Sequence, residues 1–202
     1  QAVRVAYNPV VTERMISRSY ETIDHPWLAD GQQPFVLAAG RLTGAKDFPT
    51  LIRAFKRLRD TDDVRLVILG EGPQREQLEK LVAELKLEGS VLLPGFSGNP
   101  YAWMRRSALF VLSSAWEGFG NVLVEAMACG TPVVSTNCPS GPAEILENGK
   151  WGRLVPVGDA NALAKAMHES LADGEPPSVI TRSRRFDVSN AVDEYLAAIH
   201  AD

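Results

Sequence analysis

The sequence predicts an α/β fold, a doubly wound parallel sheet of Rossmann-like form, and three observations carry that prediction. From residue 35 onward, short β-branched and leucine-rich runs alternate with stretches of helical periodicity. Several runs are apolar at consecutive positions, the pattern of strands covered by helices on both faces. Short connections in a repeated strand, loop, helix order imply right-handed crossovers between parallel neighbours.

Taken in order, residues 1–34 are a linker and lead-in. They open on an apparent strand, "VRVAYNPV" at 3–10, and pass through Asn8-Pro9 and the turn-rich "HPWLADGQQP". The strand candidates then follow as "FVLAAG", "VRLVILG", "SVLLPGF", "ALFVLSS", "TPVVST" and "GRLVPV". The first helix starts near Pro49, which suits a first helical position, and carries Leu51, Ile52, Phe55 and Leu58 on one face. "REQLEKLVAEL" is the second, and "NVLVEAMAC" is the third, closed by Gly130 as a left-handed cap. "GPAEILENG" and "DANALAKAMHESLA" supply two more. Residues 35–172 thus form one α/β domain, and 173–202 a tail whose last helix, Ser189 to Ile199, places Ala191, Val192, Tyr195, Leu196 and Ile199 on one face.

A length of 202 residues with 45% apolar content suffices for a single sizeable core. The formal charge of −4 provides no footprint for a polyanion, so nucleic acid is excluded as the main partner. Cys129 and Cys138 lack the spacing of a zinc site or a disulfide framework, and a reducing cytosol fits them. No apolar run is long enough to span a membrane, and the amino terminus has no export signal.

In an open parallel sheet, ligands bind beyond the carboxyl ends of the strands, so the loops leading into helices are read for chemistry. "GRLTGAKDF" sets Arg41 and Lys46 on one loop, either as solvated charges or as a clamp for phosphate oxygens. "GEGPQ" carries Gly70 and Gly72, and "LLPGF" carries Pro94 and Gly95. Both are plain turns or the walls of a base pocket. In "WEGFGNVLVE", Gly118, Phe119 and Gly120 precede a helix that Asn121 is placed to cap. Such a helix start, continued by Val122 and Leu123, seats a diphosphate on unpaired N–H groups. Glu125 serves the helix dipole or accepts hydrogen bonds from ribose hydroxyls, and Glu117 faces whatever hangs from the far phosphate. The ligand implied is a nucleoside diphosphate sugar.

Met127, Cys129 and the Leu123 side chain read as helix core, "RSRR" at 182–185 as a solvated patch, and Trp116 as a ligand stack or strand-end packing. A dinucleotide dehydrogenase is excluded, since no G-x-G-x-x-G follows an early strand.

With those residues in hand, the chain resembles the C-terminal, donor-binding half of family 4 (group 1) retaining glycosyltransferases of GT-B fold. The matching stretches run from "GRLTGAKDFPTLIRAF" through "LVILGEGPQREQLE", "PGF" and "NPYAWMRRSALFVLSSAWEGFGNVLVEAMACGTPVVST" to "GPAEIL" and "GRLVPVGD". The resemblance implies that Arg41 and Lys46 neutralise the donor diphosphate, that Glu117 lies beside the transferred sugar, and that Glu125 binds ribose. The backbone of Gly118, Phe119, Gly120, Asn121, Val122 and Leu123 would surround sugar and phosphates, with the loops at Gly70–Pro73 and Leu93–Phe96 framing the base. "CPSGPAEIL" resembles bacterial enzymes of surface polysaccharide and lipid-linked glycan synthesis, which implies a UDP-sugar donor and a glycan or lipid-linked acceptor.

Three departures stand out, the last of them the main one. Asp47 occupies a position where the family more often has glycine or asparagine, and "SALF" replaces the commoner Ala-Asp. The family's N-terminal acceptor domain, with its histidine near the donor sugar, does not fit within residues 1–34. None of His25, His168 and His200 falls in a matching motif. The isolated domain is therefore expected to be inactive alone, and a cytoplasmic protein, peripheral at the inner face of the plasma membrane, is the expected setting. The resemblance implies neither a metal nor another cofactor. A sugar-nucleotide epimerase of similar architecture and a half-chain that only binds nucleotide are the alternatives.

Overall fold

The computed structural model describes residues 7–29 and 32–199. Its strands are β1 (Phe35–Ala39), β2 (Arg65–Leu69), β3 (Val91–Gly95), β4 (Leu109–Leu112), β5 (Val133–Thr136) and β6 (Arg153–Val155). All neighbours run parallel in the order β3-β2-β1-β4-β5-β6. The chain winds outward from β1, then returns to start again from β4, which pairs with β1 through Val36–Leu109 and Leu37–Phe110. The helices are α1 (Glu13–Ser19), α2 (Phe48–Leu58), α3 (Arg75–Glu84), α4 (Pro100–Arg106), α5 (Asn121–Ala128), α6 (Pro142–Ile145), α7 (Ala160–Leu171), α8 (Val179–Ser183) and α9 (Val188–Ile199).

The unbroken apolar strands feed two cores. Val36 and Ala38 of β1 pack with Phe55 of α2, Leu78 of α3 and Met167 of α7. Phe35, Leu37 and Ala39 point the other way, toward Trp103 of α4, Met127 of α5 and Phe186. Pro94 is tolerated because β3 is an edge strand and its pairing with β2 is irregular there. Burying side chains the size of Phe55 or Phe110 stabilises the fold by about 1.5–3 kcal/mol each, before conformational entropy is counted.

Local signals set the helix ends. The Asp47 carboxylate accepts from Thr50 N, and Asp159 accepts from the amides of Asn161 and Ala162. Asp47 is itself left-handed at φ 43°, the region that glycine and asparagine tolerate best. Gly130 closes α5 at φ 87°.

Several expectations are corrected. Helix α2 begins at Phe48, so Pro49 is its second residue. Asn121 is the first residue of α5, and Gly120 holds the capping position without a side-chain bond. Of the apparent strand at 3–10, residues 3–6 lie outside the described residues and 7–10 are irregular, followed by a lone bridge from Val11 to Asp187. The lead-in also contains α1, capped by Thr12 and packed on α4 through Arg105 Nε to Ser19 Oγ at 2.8 Å. Nor is "RSRR" simply solvated. Arg182 is half-buried, donates to the carbonyls of Ile145 and Glu144 at 2.8 and 2.9 Å, and so satisfies the end of α6.

The tail folds back on the domain. α8 lies against α5. The amides of Val10 and Val11 both donate to Phe186 O at 3.0 Å, and Val188 N donates to Val11 O at 3.2 Å. Phe186 is fully buried between the rings of Tyr7 and Phe119, at 5.2 and 5.8 Å. In α9, Ala191 is buried, while Val192, Tyr195 and Leu196 are about half exposed; the Ile199 side chain lies outside the described residues.

Candidate functional site

At the carboxyl ends of β1 and β4, where the strand order reverses, lies an open cleft of about 580 Å³. Arg41, Lys46, Glu117, Gly118, Phe119, Gly120, Asn121 and Val122 all line it. Residues separated by 70 positions or more are brought together because β1 and β4 are hydrogen-bonded neighbours.

The two loops are stitched to each other. Ala115 N donates to Ala45 O at 2.8 Å, and Ser113 Oγ donates to Lys46 O at 2.7 Å. The Lys46 side chain lies across Gly40, where an added Cβ would stand 3.0 Å from its Cε. Its Nζ meets Glu117 Oε1 at 2.5 Å, and Ser114 Oγ donates to the same oxygen at 2.6 Å. The pair is sheltered, with side-chain exposures of 19% and 11%. An ammonium has three donors, so this bond leaves two for an anion in the cleft, and Glu117 Oε2 stays open to a hydroxyl donor. Arg41 is exposed at the cleft, and its guanidinium makes no hydrogen bond or ion pair among the described residues. The amino end of α5 completes the wall, with Gly118 free of any neighbour within 4 Å of a notional Cβ.

The loop Gly118–Gly120 is held from behind. Gly141, at φ 96°, comes so close that an added Cβ would stand 1.6 Å from Phe119 O. Tyr7 packs its ring 6.1 Å from that of Phe119, and its hydroxyl donates to Glu144 Oε1 at 2.9 Å.

Leu123 and Glu125 stand back from the cleft. Leu123 is buried, and its amide donates to Gly120 O at 2.9 Å. Glu125 sits one helical turn behind Asn121, on the same face of α5. Its carboxylate makes no hydrogen bond or ion pair among the described residues, and burial pushes its pKa up. Burial, with the Glu125 charge adding to it against Arg105, pushes the Cys129 thiol up to about 11.

A second pocket of about 450 Å³ adjoins the first and shares Ala39, Gly40, Arg41 and Pro100 with it. Gly70, Glu71 and Phe96 line it, whereas Gly72, Pro94 and Gly95 do not. Gly72 is packed against the backbone of Leu42, and Gly95 O accepts from Gly70 N at 2.8 Å. These glycines therefore serve loop-to-loop contact here. Trp116 is 63% exposed and lines neither pocket. Asn8, Ser97 and Pro100 also line the site, though nothing in the sequence marks them as ligand contacts. Asn8 Nδ2 reaches Asn121 Oδ1 at 3.3 Å across 113 positions, a contact that only the fold creates.

The family described as "Glycosyl transferases group 1" matches residues 19–185. The N-acetylgalactosamine-N,N'-diacetylbacillosaminyl-diphospho-undecaprenol 4-alpha-N-acetylgalactosaminyltransferase of Campylobacter jejuni is 37% identical over 188 residues, covering 91% of this chain and 49% of that protein. The lipopolysaccharide core biosynthesis glycosyltransferase LpsE of Rhizobium meliloti is 37% identical over 171 residues, 85% of this chain and 48% of its own length. The chain thus spans about half the length of these curated relatives. Among solved structures, Anabaena HepE in complex with UDP superposes with a TM-score of 0.78 at 25% identity, over 95% of this chain and 54% of that one.

Proposed function

The chain belongs to the group 1 glycosyltransferases, and on that premise we propose that it is the donor-binding half of an enzyme acting on a nucleoside diphosphate sugar of UDP type. The glycosyl group passes, with retention of anomeric configuration, to a glycan or lipid-linked acceptor in surface polysaccharide synthesis. One observation carries this reading: two cations, a carboxylate and a helix amino end converge on one cleft at the switch between β1 and β4.

Breaking the anomeric bond builds negative charge on the diphosphate and positive character on the sugar. Lys46, with its two remaining N–H donors, and Arg41 face the place where that negative charge grows, and the first amides of α5 add to them. Held before the reaction starts, such donors stabilise the transition state more than the ground state. We assign the counter-charge to these groups, without a metal ion, so a chelator is expected to leave transfer unchanged. Glu117 is tied to Lys46 and Ser114 through one oxygen, which suits positioning a sugar hydroxyl with the other and argues against a nucleophile's role. Glu125, unpaired one turn behind Asn121, is assigned the ribose hydroxyls.

Calorimetry with UDP tests the reading directly. Saturable binding that is lost in Lys46→Ala is expected, and no binding at millimolar UDP would refute it. The half-length match to the relatives favours a further point: this chain alone holds donor but needs an acceptor half for turnover. Transfer to any acceptor by the 202-residue chain alone would overturn that point and leave the donor assignment standing.

A further inference from the structure

The pocket beside the cleft is walled by the ends of β2 and β3, and a single side chain ties both walls. Arg75 is the first residue of α3, where a cation opposes the helix dipole, so its place there needs another explanation. Its Nη1 donates to Leu93 O at 3.2 Å and to Glu79 Oε1 at 2.8 Å. Its Nη2 reaches Gly70 O at 3.5 Å, and the guanidinium forks onto Glu71 through Nε–Oε2 at 2.8 Å and Nη2–Oε1 at 2.7 Å. A planar guanidinium makes such contacts in one orientation, which a flexible ammonium does not reproduce. Glu71 lies directly over Gly95, since a Cβ there would stand 2.8 Å from Glu71 Oε1. Hydrogen bonding to Arg75 holds the Glu71 carboxyl below its ordinary range, so the clasp is charged near neutral pH. Phe96 lines the same largely apolar pocket as Glu71 and is 81% exposed, a bare ring.

We propose that Arg75 is a positioning residue for nucleobase recognition: by tying Gly70, Glu71 and Leu93 together it sets the gap in which the base lies against Phe96, and it presents the Glu71 carboxylate to the base's N–H edge. This rests on the donor reading above. Arg75 itself lines neither pocket, so its effect passes through Glu71 and the two carbonyls.

The test compares two ligands on the same protein. UDP engages both ends of the site, whereas inorganic pyrophosphate engages only the cleft with Arg41 and Lys46. Arg75→Lys and Arg75→Gln are each expected to weaken UDP about tenfold, as loss of charge-assisted hydrogen bonds does, while pyrophosphate affinity holds within about twofold. Glu79→Gln removes a partner of Arg75 that lines neither pocket, and is expected to leave both affinities near wild type. Equal loss of UDP and pyrophosphate in the Arg75 variants means a merely structural role and overturns the proposal, as does unchanged UDP binding. Wild-type protein that binds neither ligand overturns the donor reading itself, and this inference with it.

Discussion

Lys46 and Glu117 line the cleft and already satisfy each other, so removing either has two consequences. Lys46→Ala takes a cation from the cleft and leaves a sheltered carboxylate with Ser114 as its remaining partner among the described residues. In the complete enzyme we expect turnover to fall by about two to three decades, the usual cost of one such group, together with a lower melting temperature. Arg41→Ala should lower turnover by a similar factor with melting unchanged, because its guanidinium holds nothing among the described residues. Near-wild-type turnover in either variant removes the phosphate assignment. Glu125 provides a pH test. Burial raises its folded pKa, so the folded state favours the protonated form. The ionised form costs stability in full above the folded pKa, and that cost vanishes as pH falls below the unfolded value near 4. Glu125→Gln should therefore melt higher at pH 7, by about 2–4 °C for each kcal/mol recovered, with the margin closing toward pH 4. It should also bind UDP about tenfold more weakly, having lost an acceptor for charge-assisted hydrogen bonds. Identical melting curves at pH 7 would contradict the burial argument.

At the scale of elements, the loop after β4 has its shape because the turn before α6 supports it. A methyl on Gly141 would collide with the backbone at Phe119, and neither side can yield without moving the amino end of α5. Gly141→Ala is expected to abolish detectable UDP binding and to cost roughly 2–4 kcal/mol, combining overpacking with strain at positive φ. Affinity within threefold of wild type would show that the loop is not held from this side. All six strands were legible because two-sided burial writes itself as unbroken apolar runs, "FVLAA" and "LFVL" among them. Helix α1 was not, since seven residues with only Met15 and Ser19 buried are too short and too polar to show a period. That Arg41 and Lys46 reach the cleft is legible from their position on a strand-to-helix turn. Asn8 could not, since its neighbour Asn121 is distant in sequence.

Across the whole molecule, the reversal of strand order between β1 and β4 sets the cleft, and the tail closes the same side from behind. The tail's anchors lie beyond the peptide that leads to it. Residues 173–178, "DGEPPS", are exposed, while beyond them Arg182 grips the end of α6 and Phe186 is fully enclosed. Covalent continuity through this stretch is thus expected to be dispensable once folding is done. With a protease recognition site inserted between Gly174 and Glu175, the cut protein should elute as one particle in native buffer and as two pieces in denaturant, and its UDP isotherm should match that of the uncut chain. Separation in native buffer would show that the tether, and not the buried phenylalanine, keeps the tail in place.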